Sequence, residues 1–166
     1  FKPDGTPRLS QDELKKLCEL GVTISDTETT GLNRHRNGLS EVACMKAVKE
    51  QGAYRLKLFH AFCLPLRPHY QDYVSACEIA DSDGTPRPAY DRQLYEYEIA
   101  PQALAVTGTE ILREQGADGP ITGLKVLGER VEAQPFYKVY EAFLDFIGDP
   151  ERDVYYNAPY DKTFLV

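Results

Sequence analysis

Gly21-Val22-Thr23-Ile24-Ser25-Asp26-Thr27-Glu28-Thr29-Thr30-Gly31-Leu32 joins an apolar, β-branched run to two acids spaced i, i+2. The run has the composition of a buried strand. Side chains alternate along a strand, so Asp26 and Glu28 aim their carboxylates into one volume. Two like charges held together call for a cation. Hard carboxylate oxygens suit Mg²⁺ or Mn²⁺, which keep several waters and take phosphate oxygens as further ligands. An isolated D-x-E pair is also ordinary on a solvated strand end. The residues after it are less ordinary. Gly31 permits a sharp turn or a close approach to a ligand, and Leu32 is an apolar residue that a loop exposes unless it packs on something.

A second informative segment lies far along the chain. Asp153-Val154-Tyr155-Tyr156 reads as a short strand, and Asn157-Ala158-Pro159-Tyr160-Asp161-Lys162-Thr163-Phe164-Leu165 follows it. Proline is favoured at the first helical position, and the residue before it is pushed out of the α region, which predicts a helix starting at Pro159. Asp161 then falls in the first turn, where an acid stabilises the positively polarised helix end.

These two segments resemble the first and second motifs of the DnaQ-like (DEDD) 3′→5′ exonuclease superfamily, in its proofreading-exonuclease type. Asp26 to Leu32 resembles the first motif. Asn157-Ala158-Pro159-Tyr160-Asp161, followed by Phe164-Leu165, resembles the second, with Tyr156 and Tyr160 where His and Phe are usual. Between them, Ser40 to Val48 resembles the family's second strand, and Pro101 to Gly108 its short helix ending in glycine. The resemblance spans about residues 21 to 166.

It implies an α/β fold, a ribonuclease-H-like mixed sheet flanked by helices. Strands near 21–26, 39–49 and 54–65 form a meander, and the strand near 153–156 lies parallel beside the first, reached by a helical crossover. Both motifs then meet at adjacent strand ends, where ligands of open α/β sheets bind. Residues 1–20 form an N-terminal helical extension. Residues 21–166 form an exonuclease domain incomplete at its C-terminus, with an insertion at about 68–99.

The function implied is metal-dependent hydrolysis of phosphodiester bonds at single-stranded or frayed 3′ ends, with DNA favoured over RNA. By resemblance, Asp26, Glu28 and Asp161 are the catalytic acids and hold two Mg²⁺ or Mn²⁺ ions. Thr29, Thr30, Gly31, Leu32 and Asn157 contact the substrate: backbone near Thr29 meets the terminal hydroxyl, and Leu32 wedges against the terminal bases. A DNA polymerase or another replication or repair protein is the implied partner. The alternative is a catalytically silent member that binds nucleic-acid ends or a polymerase-type partner. The family also places a fourth acid and a His or Tyr base on a helix beyond the second motif. His35, His60 and His69 all precede Asp161, and the sequence ends at Val166, so the resemblance implies little nuclease activity for this piece alone.

Composition fits these expectations. At 166 residues and 42% hydrophobic, the chain can bury the core of one domain. It has no apolar run long enough to span a membrane and no signal-peptide pattern, so a soluble, cytoplasmic protein is expected. Phe1 is not an initiator, so a fragment or a trimmed chain is expected. A net charge of −7 argues against a broad basic surface for duplex DNA, but a site that holds only a strand end needs few phosphate contacts. Arg34, His35, Arg36 and Lys162 are either such contacts or a solvated cluster. Cys18, Cys44, Cys63 and Cys77 lack C-x-x-C spacing and read as reduced packing thiols.

Elsewhere, Ser10-Gln11-Asp12-Glu13 is a capping box opening a helix that Gly21 ends. Phe136, Val139, Tyr140, Phe143, Leu144 and Ile147 repeat at helical spacing and are stopped by Gly148. The 68–99 insertion carries Tyr70, Tyr73, Tyr90, Tyr95 and Tyr97. A packed hairpin or strand is the preferred reading there, and a stacking platform for bases the other. Asp4-Gly5-Thr6-Pro7-Arg8 recurs as Asp83-Gly84-Thr85-Pro86-Arg87, two turn signals rather than a repeat.

Overall fold

Strand β1, Val22–Thr29, is longer than expected and includes both acids. Thr23, Ser25, Thr27 and Thr29 are buried, whereas Ile24 and Asp26 are exposed, so its two faces differ in cover. In the computed structural model, which describes residues 2–5, 8–88, 94–155 and 158–165, β1 pairs antiparallel with β2, Leu39–Glu50, and β2 with β3, Ala53–Leu64. Gln51 and Gly52, at φ 50° and 81°, make the two-residue hairpin turn whose twist matches that of the flanking strands.

Strand order in the main sheet is β10-β1-β2-β3-β9. β9, Ala133–Pro135, is parallel to β3, and β10, Arg152–Tyr155, is parallel to β1. The meander and the parallel closing strand are as the sequence predicts. The protein is therefore α/β, with a mixed five-stranded sheet and helices.

Helix α4, Phe136–Ile147, is amphipathic and ends at Gly148 as predicted. With α5, Ala158–Leu165, it covers the face of the sheet that carries Val42 and Cys44. Leu39, Val42, Cys44, Cys63, Phe143 and Leu165 form the buried cluster there. Helix α1, Gln11–Glu19, has the predicted capping box. It lies across β2 and β3, with Leu14 fully buried. All four cysteines are free. Burial pushes the Cys63 thiol up to about 12, so at neutral pH it is an inert packing group.

The 68–99 insertion corrects one expectation. Tyr70–Asp83 is helix α2, ended by Gly84 in the left-handed conformation, not a hairpin. Its buried residues Cys77 and Ala80 are small and sit three apart, too faint a stripe to announce a helix among so many acids and tyrosines. Among the described residues of this region only short strands β4, Leu66–Pro68, and β5, Leu94–Glu96, pair. Helix α3, Pro101–Thr107, ends at Gly108 in the left-handed conformation, as predicted. A separate three-stranded sheet of β6, Thr109–Arg113, β7, Ile121–Val126, and β8, Glu129–Val131, has no counterpart in the sequence reading.

Candidate functional site

The pairing of β10 with β1 ends at Ser25 and Tyr155, so Asp26 to Thr29 run on past the end of β10. That end is where α5 begins, and it brings Asp161 to β1. Thr27 Oγ1 donates to Asp161 Oδ1 at 2.6 Å, and Asp161 is only 2% exposed. The three predicted acids thus meet at one strand end but not on one face. Asp26 and Glu28 share the open face. Asp161 approaches the strand through Thr27, whose side chain points the other way.

On the open face Glu28 lies directly across from Glu41 of β2. Glu41 Oε1 is in turn 2.6 Å from His60 Nε2 on β3. Nothing along the chain groups these residues, because cross-strand register decides which side chains meet. Burial pushes the Glu28 carboxyl above the usual carboxylate range, and the charges of Asp26, Glu41 and Asp161 push it the same way.

A raised folded-state value favours the neutral acid in the folded protein. Its contribution to stability is present at low pH and lost as pH rises through the raised value. Glu28→Gln is therefore expected to raise the melting temperature of the metal-free protein at neutral pH, and to leave it unchanged below about pH 4, where the acid is protonated in both states. A melting temperature lowered at neutral pH would show that Glu28 is not under this strain.

The chain after β1 is tightly held. The register of β1 against β2 shifts between Glu28 and Thr29, a bulge of the kind that re-aims side chains at strand ends. Thr30 is buried, and its backbone N–H donates to Gly38 O at 2.8 Å. Asn37, also buried, accepts from Asn33 N at 2.9 Å and donates to Glu98 O at 2.7 Å. A Cβ on Gly31 would stand 2.6 Å from the Asn37 side chain, so Gly31 is needed for close approach. Asn37 is a residue that sequence reasoning missed; buried amides leave no periodic signal.

Tyr160 uses its hydroxyl here. It is hydrogen-bonded to Thr29 Oγ1 and donates to Gly31 O at 3.0 Å. The clamped loop presents Leu32 at 86% exposure, facing Val106 of α3 at 84%. Leu32 does not pack away. Between them lies a groove of about 270 Å³, also lined by Glu28, Thr29, Ala103 and Tyr160. Tyr156 and Asn157 lie outside the described residues. Of the basic cluster, Arg36 lies 3.9 Å from Glu98, and Lys162 sits over the Tyr155 ring.

The chain matches no model of a known protein family, and a comparison with curated proteins finds no match either. No helix among the described residues is long and apolar enough to cross a membrane.

The donor chemistry can be tested against a divalent ion. Among the described residues no three His, Cys, Asp or Glu side chains converge closely enough to hold a metal by themselves. Mg²⁺ does not need such a cage; it is commonly bound by one or two carboxylates, with waters and substrate phosphates completing its shell. Asp26 and Glu28 fit that requirement, and a cation there would relieve the charge that raises Glu28.

Proposed function

We propose that the protein is a metal-dependent 3′→5′ exonuclease of ribonuclease-H-like fold, acting on single-stranded or frayed 3′ ends, DNA before RNA. The observation that carries this reading is the same-face pair Asp26 and Glu28 beside a groove whose rim exposes Leu32 and Val106. The arrival of Asp161 from α5 at the same strand end supports it. So does the order of the sheet, a meander closed by a parallel strand.

In this reading Asp26 and Glu28 hold Mg²⁺ or Mn²⁺, and Asp161 contributes to a second ion through water or phosphate. Bound ions of this kind stabilise charge on the attacking and leaving oxygens of an in-line displacement. The chain itself supplies positioning. Thr29, at the groove, offers backbone to the terminal nucleotide, and Leu32 offers an apolar edge to its base; Thr30 and Gly31, buried and bonded within the loop, hold both in place rather than touching the nucleotide. Asn157 would lie near the substrate backbone. A groove of this size accepts an unpaired nucleotide more cheaply than a stacked one, because unpairing costs a few kcal/mol.

The test is a 5′-labelled strand incubated with Mn²⁺ and the protein extended by a helix that carries a His or Tyr base and a fourth acid. Shortening from the 3′ end is expected, faster on a single strand or a mismatched end than on a matched blunt duplex. Internal cleavage, or no shortening in a preparation shown to bind Mn²⁺, would refute the assignment.

A further inference from the structure

A second hollow, of about 620 Å³, adjoins the groove at β1. The two share walls. Leu32 lines the groove while Arg34 and Gly38, on the same loop, line the hollow; Tyr160 lines the groove while Phe164, its ring centroid 5.1 Å away one helical turn on, lines the hollow.

The chemistry of the hollow is unlike that of the molecule as a whole. On a chain of net charge −7, Arg34 and Arg67 stand at it against one acid, Glu141. Both arginines are exposed. Neither pairs with a carboxylate among the described residues, whereas Arg36 lies near Glu98, and Arg87 and Arg113 bind Asp81 and Glu96. A guanidinium fork left without a carboxylate suits phosphate, which it grips in bidentate fashion.

Aromatic groups stand beside the arginines. The Tyr97 ring lies against Gly38, where any Cβ would collide with it, and the Arg67 guanidinium lies over that ring at 5.0 Å from its centroid. Tyr140 is partly exposed and held edge-on by Phe136, with centroids 5.7 Å apart. A ring fixed beside guanidinium groups that lack a carboxylate partner makes a site for a flat, anionic unit, since bases stack on aromatics with little regard to sequence.

We propose that this hollow binds an upstream nucleotide of a single strand, its base against Tyr140 and its phosphates on Arg34 and Arg67. That the strand continues from the groove at β1 rests on the exonuclease reading; the nucleotide chemistry of the hollow does not. The hollow gives the site a preference for tails of several nucleotides over the last nucleotide alone.

Fluorescence anisotropy in EDTA separates binding from hydrolysis. Labelled hexathymidylate is expected to bind the wild-type protein more tightly than labelled dithymidylate. In the Arg34→Gln, Arg67→Gln variant that advantage should vanish, and the slope of log affinity against log salt should fall by about 1.4, at about 0.7 per phosphate contact. Tyr140→Leu should weaken hexathymidylate about fivefold or more through lost stacking. An Arg34→Lys, Arg67→Lys variant should keep most of the salt slope, which separates lost charge from a folding defect. If both glutamines leave hexathymidylate binding and its salt slope unchanged, the proposal is wrong. It is also wrong if free thymidine monophosphate competes as well as the hexamer and the glutamines abolish only that competition, which would make the hollow a mononucleotide site. Absence of hydrolysis in Mn²⁺ by the protein extended with the base-bearing helix, alongside the expected anisotropy, would remove the exonuclease reading and leave the nucleotide site standing.

Discussion

Asp26→Ala, placed in the protein extended by a helix with a His or Tyr base and a fourth acid, is expected to cut release of nucleotides from a labelled 3′ end at least a hundredfold, while the protein still melts as its unsubstituted form does. Asp26 is exposed, and among the described residues its carboxylate accepts only a 3.1 Å contact from the N–H of Thr27 beside it, so the fold loses little. The proposed ion loses one of the two carboxylates that fit it. Removing even an outer partner of a metal ligand typically costs about 10–100-fold in affinity or activity, and a direct ligand should cost more. Calorimetry with Mn²⁺ gives the independent check. Binding seen in the wild type should be lost in the Asp26→Ala, Glu28→Ala double variant, and Glu28→Gln should weaken it on its own. Unchanged binding in the double variant would move the ion elsewhere and end the assignment of this strand end as the metal site. Retained hydrolysis in Asp26→Ala would have the same force.

The parts of the site that could be read from sequence are those where the chemistry lies within a few consecutive residues. Alternation along Val22–Thr29 places Asp26 and Glu28 together without any tertiary information, and Pro159 marks the start of α5 to within a residue. The Phe136–Ile147 helix was legible because its apolar stripe is strong, and the 39–64 hairpin because its strands are long. Helix α2 and the β6–β8 sheet were not, for opposite reasons. The first, among its described residues, buries only small side chains such as Cys77 and Ala80. The second consists of short strands studded with Glu110, Lys125, Glu129 and Arg130, turned at Leu127 and Gly128 with positive φ, a turn in which leucine is rare. Contacts set by register stayed hidden as well. Glu41 faces Glu28 because β2 pairs with β1 in one register and no other, and Asp161 meets Thr27 rather than Asp26 because α5 packs on the covered face of the sheet. The sequence placed the acids in one neighbourhood; only the fold distributes them between two faces.

The core ties that distribution to stability, and Phe143→Ala is expected to cost about 3–5 kcal/mol. Phe143 is 2% exposed. Its ring meets Phe59 and Phe136 edge-on, with centroids 5.6 Å and 5.9 Å apart, and such ring pairs add about 0.5–1.5 kcal/mol beyond the area they bury. The neighbouring Leu144 is 45% exposed and points away from the cluster, so Leu144→Ala should cost far less and serves as a control for helix propensity in α4. Urea titration should show the midpoint for Phe143→Ala falling with little change in slope, the sign of lost stability rather than altered compactness. The effect reaches the site because Leu165, on α5, belongs to the same buried cluster. A cavity at Phe143 loosens the seat of α5, and with it the Asp161 to Thr27 hydrogen bond at the end of β1. Amide hydrogen exchange is therefore expected to quicken in α5 as well as α4, with β6–β8 unaffected. A loss no larger than that of Leu144→Ala, or exchange confined to α4, would mean that α5 is held at the site by something other than this core.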